Sequence, residues 1–199
     1  MENEKHGYAV AAFVFLLLYG GIFSLLVLLF GWYDSFGMGE VLALGYLLLP
    51  AVSGLFLMLR KPRIAAVLMT LVLVLTLVQE IPEILRYLEP NGYLATFDEA
   101  TGYTEYIPRQ FAVLPILSIL AALSFAGALY LRGRPALVLA VLAAVAELVY
   151  MVLQIMSMAY VTGHPTPLNV MFSFNYAMGA IFAGLYLFSL GGNNKTTGG

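Results

Sequence analysis

Glu147 lies within a long apolar stretch and is followed by Tyr150, Gln154 and Ser157 at spacings of three, seven and ten residues. Those spacings return to one stripe of an α-helix. An ionisable group inside hydrocarbon costs about 2.5–3.5 kcal/mol on insertion scales, so it turns toward a bundle interior and finds partners there. A later apolar stretch carries Ser173, Asn175 and Tyr176. If its helix runs antiparallel to the first, Asn175 and Tyr176 come to the depth of Glu147, with Ser173 one step further out. Such groups could donate hydrogen bonds to a carboxylate or accept one from its protonated form. Two roles fit. Glu147, Tyr150, Gln154, Asn175 and Tyr176 could form a ligand site around a proton-linked, ion-linked or substrate-binding carboxyl. Alternatively, a neutral Glu147 could serve as interhelical glue.

A second polar set is Gln79-Glu80-Ile81-Pro82-Glu83-Ile84-Leu85-Arg86-Tyr87. Glu83 reaches Arg86 at i+3 and Tyr87 at i+4, and Pro82 removes one helical hydrogen bond, which kinks the helix or ends its regular part. This could be the acidic mouth of a cavity or the ordinary finish of a helix at the headgroups. Glu80 is deeper, has no evident local partner and joins the ligand-binding candidates. Glu40 reads as interfacial.

Other chemistries are poorly supported. The chain has no cysteine, which removes disulfides, thiolate nucleophiles and Cys-ligated metals. Its two histidines, His6 and His164, fall on opposite sides of the membrane in the topology below, so they cannot share a metal or a haem. No cofactor is expected. No Gly-x-Ser-x-Gly elbow or phosphate-binding glycine loop is present, and nothing supports nucleic-acid binding. Carboxylates alone can carry acid–base catalysis, but a non-enzymatic role is the stronger expectation.

The elements that must position these residues follow from composition. Apolar residues make up 62% of the chain, charged residues 10%, and mean hydropathy is +0.92; soluble domains carry about 25% charged residues. The expected fold is all-α, one integral membrane domain over 1–199. Its six transmembrane helices fall near 8–33, 39–59, 64–88, 110–131, 135–161 and 167–190, each long enough for the roughly 20 residues a crossing needs. Residues 191–199 read as a flexible tail. Lys5, Arg60, Lys61, Arg63, Arg132, Arg134 and Lys195 fall on one side, against Arg86 and Arg109 on the other. The positive-inside rule then puts both termini in the cytoplasm of a multi-pass cell-membrane protein. Trp32, Tyr33, Tyr87, Tyr93, Tyr103 and Tyr106 fall near the outer interface, where amphipathic rings prefer to sit. Within the outer loop 89–109, two β-prone stretches flank Asp98-Glu99-Ala100-Thr101-Gly102 and suggest a short hairpin. Gly20 with Ser24, Ala140 with Ala144, and Ala180 with Gly184 suggest close helix contacts. Pro50 and Pro115 are expected to bend their helices.

Three functions fit such a chain. The leading expectation is a non-catalytic subunit of a larger membrane complex, such as a bioenergetic or respiratory one, whose partners besides the lipid bilayer are other membrane subunits or further copies of itself. The alternative is a small-solute transporter, or a transporter's substrate-binding subunit, with a midplane site around Glu147. The third is a carboxylate-based intramembrane enzyme or a quinone-binding protein.

Overall fold

Hydrocarbon offers no hydrogen bonds, so a crossing chain must satisfy its backbone internally, and helices do so. The computed structural model describes residues 2–22, 24, 38–88, 93–98, 103–108, 112–161 and 167–191. Among the described residues are six helices: α1 (Glu2–Leu16, continuing as a π-helical turn Leu17–Gly21), α2 (Met38–Met58), α3 (Pro62–Tyr87), α4 (Val113–Tyr130), α5 (Arg134–Val161) and α6 (Pro167–Gly191). Two strands, β1 (Tyr93–Asp98) and β2 (Tyr103–Pro108), pair antiparallel between α3 and α4. Four stretches are long and apolar enough to cross a membrane among the described residues: Pro62–Tyr87, Val113–Tyr130, Arg134–Ser157 and Val170–Gly191. This is compatible with a membrane-embedded protein. Trp32, Tyr33, His164, the far half of the first expected span and the tail 192–199 lie outside the described residues.

Two differences from the sequence expectations have simple causes. α1 begins at Glu2 rather than Tyr8, because Glu2, Glu4 and Lys5 are good helix formers and carboxylates suit a helix N-terminus; hydropathy marks contact with lipid, not helix ends. α4 begins at Val113, which places Pro115 in its first turn, where no intrahelical bond is lost and no bend is needed. Pro50 and Pro82 do lie inside their helices, and α3 continues past Pro82 to Tyr87.

Each helix packs on its neighbours in the chain, and α6 returns to pack on α1, which closes a six-membered ring. Neighbours are antiparallel, as contacts show at paired heights. Gly20 meets Leu47 while Gly54 meets Phe13 and Leu16 between α1 and α2. Gly184 meets Ala140 while Gly191 meets Gly133 between α5 and α6. Phe15 stacks on Phe182 while Tyr19 contacts Phe172 between α1 and α6. With six helices, alternating direction brings the last helix back antiparallel to the first.

Side-chain size decides which face of each helix turns inward. Ala136, Ala140, Ala143, Ala144 and Ala146 of α5 are buried, whereas Val138, Val141, Val145, Val149 and Val152 are exposed. Lipid tails are as apolar as Val or Leu, so burying those residues gains little, and close backbone approach favours small ones. Hydrogen bonds add cross-ties: Ser53 Oγ donates to the Ala65 carbonyl at 3.1 Å, and the Thr70 and Tyr130 hydroxyls meet at 3.0 Å.

The two tight turns at one end differ in chemistry. After α2, Arg60 takes φ 60°, with Lys61 N–H bonded to the Phe56 carbonyl and Arg60 N–H to that of Leu57. This is a Schellman closure with arginine where glycine is usual. After α4, Gly133 takes φ 71°, and its N–H reaches the Leu187 carbonyl of α6 at 3.2 Å.

The ring predicts a contrast between two glycines. A Cβ at Gly54 would come within 2.9 Å of the Phe13 Cα, a backbone atom, whereas one at Gly7 meets nothing within 4 Å. Gly54→Ala is expected to destabilise by about 1–3 kcal/mol. Gly7→Ala should be neutral or stabilising by up to about 1 kcal/mol. Thermal unfolding of the two variants in the same detergent checks both; equal midpoints would refute the α1/α2 packing.

Candidate functional site

The inner stripe of α5 changes character halfway along. From Ala136 through Ala144 it is alanine, and from there it continues as Glu147, Tyr150, Gln154 and Ser157. The other helices change at the same height, so the ring is close-packed in the half that holds the basic turns and hollow in the half nearer the hairpin. The hollow is a cavity of about 250 Å³ lined by Tyr19 of α1, Tyr46 and Leu47 of α2, Gln79 and Glu80 of α3, and Ser118 of α4. Glu147, Tyr150 and Gln154 of α5 and Phe172 and Ser173 of α6 complete it. All six helices contribute.

Exposure grades from mouth to floor. Gln79 is exposed and Glu80, Tyr150 and Gln154 are half-buried, whereas Tyr19, Glu147 and Ser173 are buried. Below this level Leu16, Leu57, Met69, Phe125, Leu129 and Leu187 fill the ring completely, each 1% exposed or less. The cavity is therefore blind toward the basic turns. At the other end β1 packs against α3 and β2 against α5, the two helices that supply Glu80 and Glu147.

The floor is organised by Tyr19. Its ring meets Tyr46 at 6.3 Å, Phe172 at 6.2 Å and Tyr176 at 5.1 Å, all edge-to-face, and Tyr176 in turn meets Phe125 at 5.5 Å. Each such pair contributes about 0.5–1.5 kcal/mol beyond its buried area. The π turn Leu17–Gly21 carries Tyr19, with Ile22 N–H bonded five residues back to the Leu17 carbonyl. Gly20 and Gly21 allow that wider turn to lie against Leu47 and Ala51 of α2. π turns inside α-helices recur at functional sites.

Hydroxyl groups meet the carboxyls. Ser173 is within hydrogen-bonding reach of Glu147, and Ser118 within reach of both Glu80 and the Tyr46 hydroxyl. Tyr46 also reaches the Tyr19 hydroxyl. A polar chain thus runs from Glu80 at the mouth through Ser118 and Tyr46 to Tyr19 on the floor. Glu83 instead pairs with Arg86 at 3.0 Å on the exposed side of α3, a surface pair contributing about 0–1 kcal/mol. Among the described residues no group of His, Asp or Glu side chains is placed to hold a metal ion.

Of the sequence candidates, the structure brings Glu147, Tyr150, Gln154 and Glu80 together on the cavity wall. Asn175 and Tyr176 are buried but are not among the lining residues. The Gly184–Ala140 and Gly191–Gly133 contacts put Tyr176 at nearly the height of Glu147, with Ser173 further out along α6. Asn175 and Tyr176 are taken up in the packing, where Tyr176 meets the Tyr19 ring, and Ser173 is the one that lines the cavity. Tyr19, Tyr46, Ser118 and Phe172 were not singled out in the sequence. For the tyrosines a signal was present, since each carries a hydroxyl in mid-span, away from the interfaces where tyrosine is common.

The hub role of Tyr19 is testable by comparing two substitutions. Tyr19→Phe keeps the ring contacts and should cost no more than about 1.5 kcal/mol. Tyr19→Ala removes contacts to two other helices and should cost about 3–5 kcal/mol. Unfolding midpoints that fail to separate the two would remove Tyr19 from the centre of the packing.

Compared with family models, curated proteins and solved structures, the chain matches none of them, so the chemistry of the cavity rests on its own groups.

Proposed function

We propose that this chain binds a small polar solute inside the membrane and serves its passage, as a transporter or as the substrate-binding subunit of one. One observation carries the reading: a cavity of about 250 Å³, built from polar and aromatic groups of all six helices and walled from lipid by the closed ring. Polar side chains are expensive at this depth and are retained where they serve a pathway or a ligand. Drug-sized ligands occupy sites of about 300–1,000 Å³, so the solute is of small-metabolite size.

The bias of Lys and Arg toward the turns at residues 59–61 and 131–133 supports a cell-membrane orientation with both termini in the cytoplasm. The hairpin and the cavity mouth then face the exterior, and the blind end faces the cytoplasm. A purely structural subunit of a larger complex has no use for such a hollow: interhelical glue needs one partner per polar group, as Ser173 is to Glu147, not a wall contributed by six helices.

Native mass spectrometry of the protein from its own membrane in mild detergent tests the reading. One small solute per chain is expected, lost in Ser118→Phe, which fills the cavity, and in Gln154→Trp, which obstructs its half-buried rim. Gln154→Trp leaves the packed half untouched and so covers the case in which Ser118→Phe does not fold. A chain that carries stoichiometric partner subunits and no solute, or one whose solute survives both substitutions, would overturn the proposal.

A further inference from the structure

The two carboxyl groups of the cavity have no basic partner in its wall. Glu80 and Glu147 both line it, and among the described residues its wall contains no Lys, Arg or His. The described basic side chains lie elsewhere: Lys5, Arg60, Lys61, Arg63, Arg132 and Arg134 are at the far end of the ring, and Arg86 pairs with Glu83 outside it. Ser173 offers Glu147 one hydroxyl, whereas a carboxylate has about four lone-pair positions to satisfy. Glu147 is only 7% exposed and borders open volume.

The rest of the wall has a complementary property. Tyr19, Tyr46, Tyr150 and Phe172 present four aromatic rings from four helices. Ring faces attract cations, by about 2 kcal/mol or more where water is excluded. Aromatic rings are poor ligands for a small hydrated metal ion, which would in any case leave most of the volume unfilled. An organic cation with apolar substituents uses both features at once, its charge beside the carboxyls and its alkyl groups against the rings.

Resting on the reading of this cavity as a solute site, we propose that the solute is a small organic ammonium ion, held between Glu147 and the Tyr19, Tyr46, Tyr150 and Phe172 rings and admitted past Glu80. Glu80 at the half-buried mouth and Glu147 at the buried wall form two steps of a negative path with Ser118 between the helices that carry them. The hydrogen-bonding groups Gln79 and Gln154 stand at the same mouth and suit a hydroxyl or amide on the cation's substituent.

Calorimetric titration of the whole chain in lipid nanodiscs tests this, using methylammonium, tetramethylammonium and choline, the uncharged carbon isostere of choline, and acetate. At least one ammonium ion is expected to bind about 30-fold or more tightly than the neutral isostere, with no binding of acetate. Glu147→Gln should weaken that ion by about 30-fold, as expected when one partner of a buried charge pair is truncated. Glu80→Gln, at a half-buried position, should fold as wild type and weaken binding less. Equal binding of the neutral isostere, or ammonium binding indifferent to both substitutions, would overturn the ammonium assignment while leaving a solute site in place. Failure of the whole panel would also overturn it, and a solute still found by native mass spectrometry and lost in Gln154→Trp would show that the site survives with a different ligand class. Absence of any such solute would defeat both.

Discussion

A carboxyl group has no partner in hydrocarbon, and the position of Glu147 halfway along α5 is the constraint that the rest of the arrangement answers. The group must be enclosed by protein or reach water through it. Six alternating helices achieve this by closing on themselves, so that α6 packs on α1.

Enclosure imposes a conflict between packing and space. Where the ring is tight, it is tight because the facing residues are small: Ala140 against Gly184, Gly54 against the backbone at Phe13, Gly133 against Gly191. Where the inner residues become Glu147, Tyr150 and Tyr46, the backbones cannot approach so closely and a hollow remains. The two halves of the ring are consequences of one stripe changing composition. The close-packed half fixes the relative positions of six helices, and that in turn fixes the width of the polar half. Side chains carried on rigid elements are held more closely than those on loops.

Much of this was legible in the residues, and the failures have particular causes. The polar stripe from Glu147 to Gln154 could be read because polarity contrasts with an apolar background. Glu80 could be read for the same reason. The inner faces of the apolar halves could not be read from hydropathy, because alanine inside and valine outside are both apolar, and only size separates them. Tyr19 continues the inner face of Ala9, Ala12 and Leu16 at helical spacing, but that face is as apolar as the rest of α1 and hydropathy did not single it out. The Gly184 and Ala140 contact does bring Tyr176 to nearly the height of Glu147, and what depth along a helix could not show is that Asn175 and Tyr176 are packed away from the hollow.

The irregular backbone is concentrated beside the hollow, and the physics of the bilayer accounts for that. Pro50 lacks the N–H that would have bonded the Tyr46 carbonyl, and the π turn at Leu17–Gly21 lies against the same part of α2, with Gly21 on Ala51. Non-helical backbone at membrane depth is tolerated where it is covered by protein or lines a polar cavity. Here the π turn is covered by α2, with Gly20 on Leu47 and Gly21 on Ala51. The same departures weaken α1 and α2 at one height, while α3, α4 and α5 run there without a proline or a π turn.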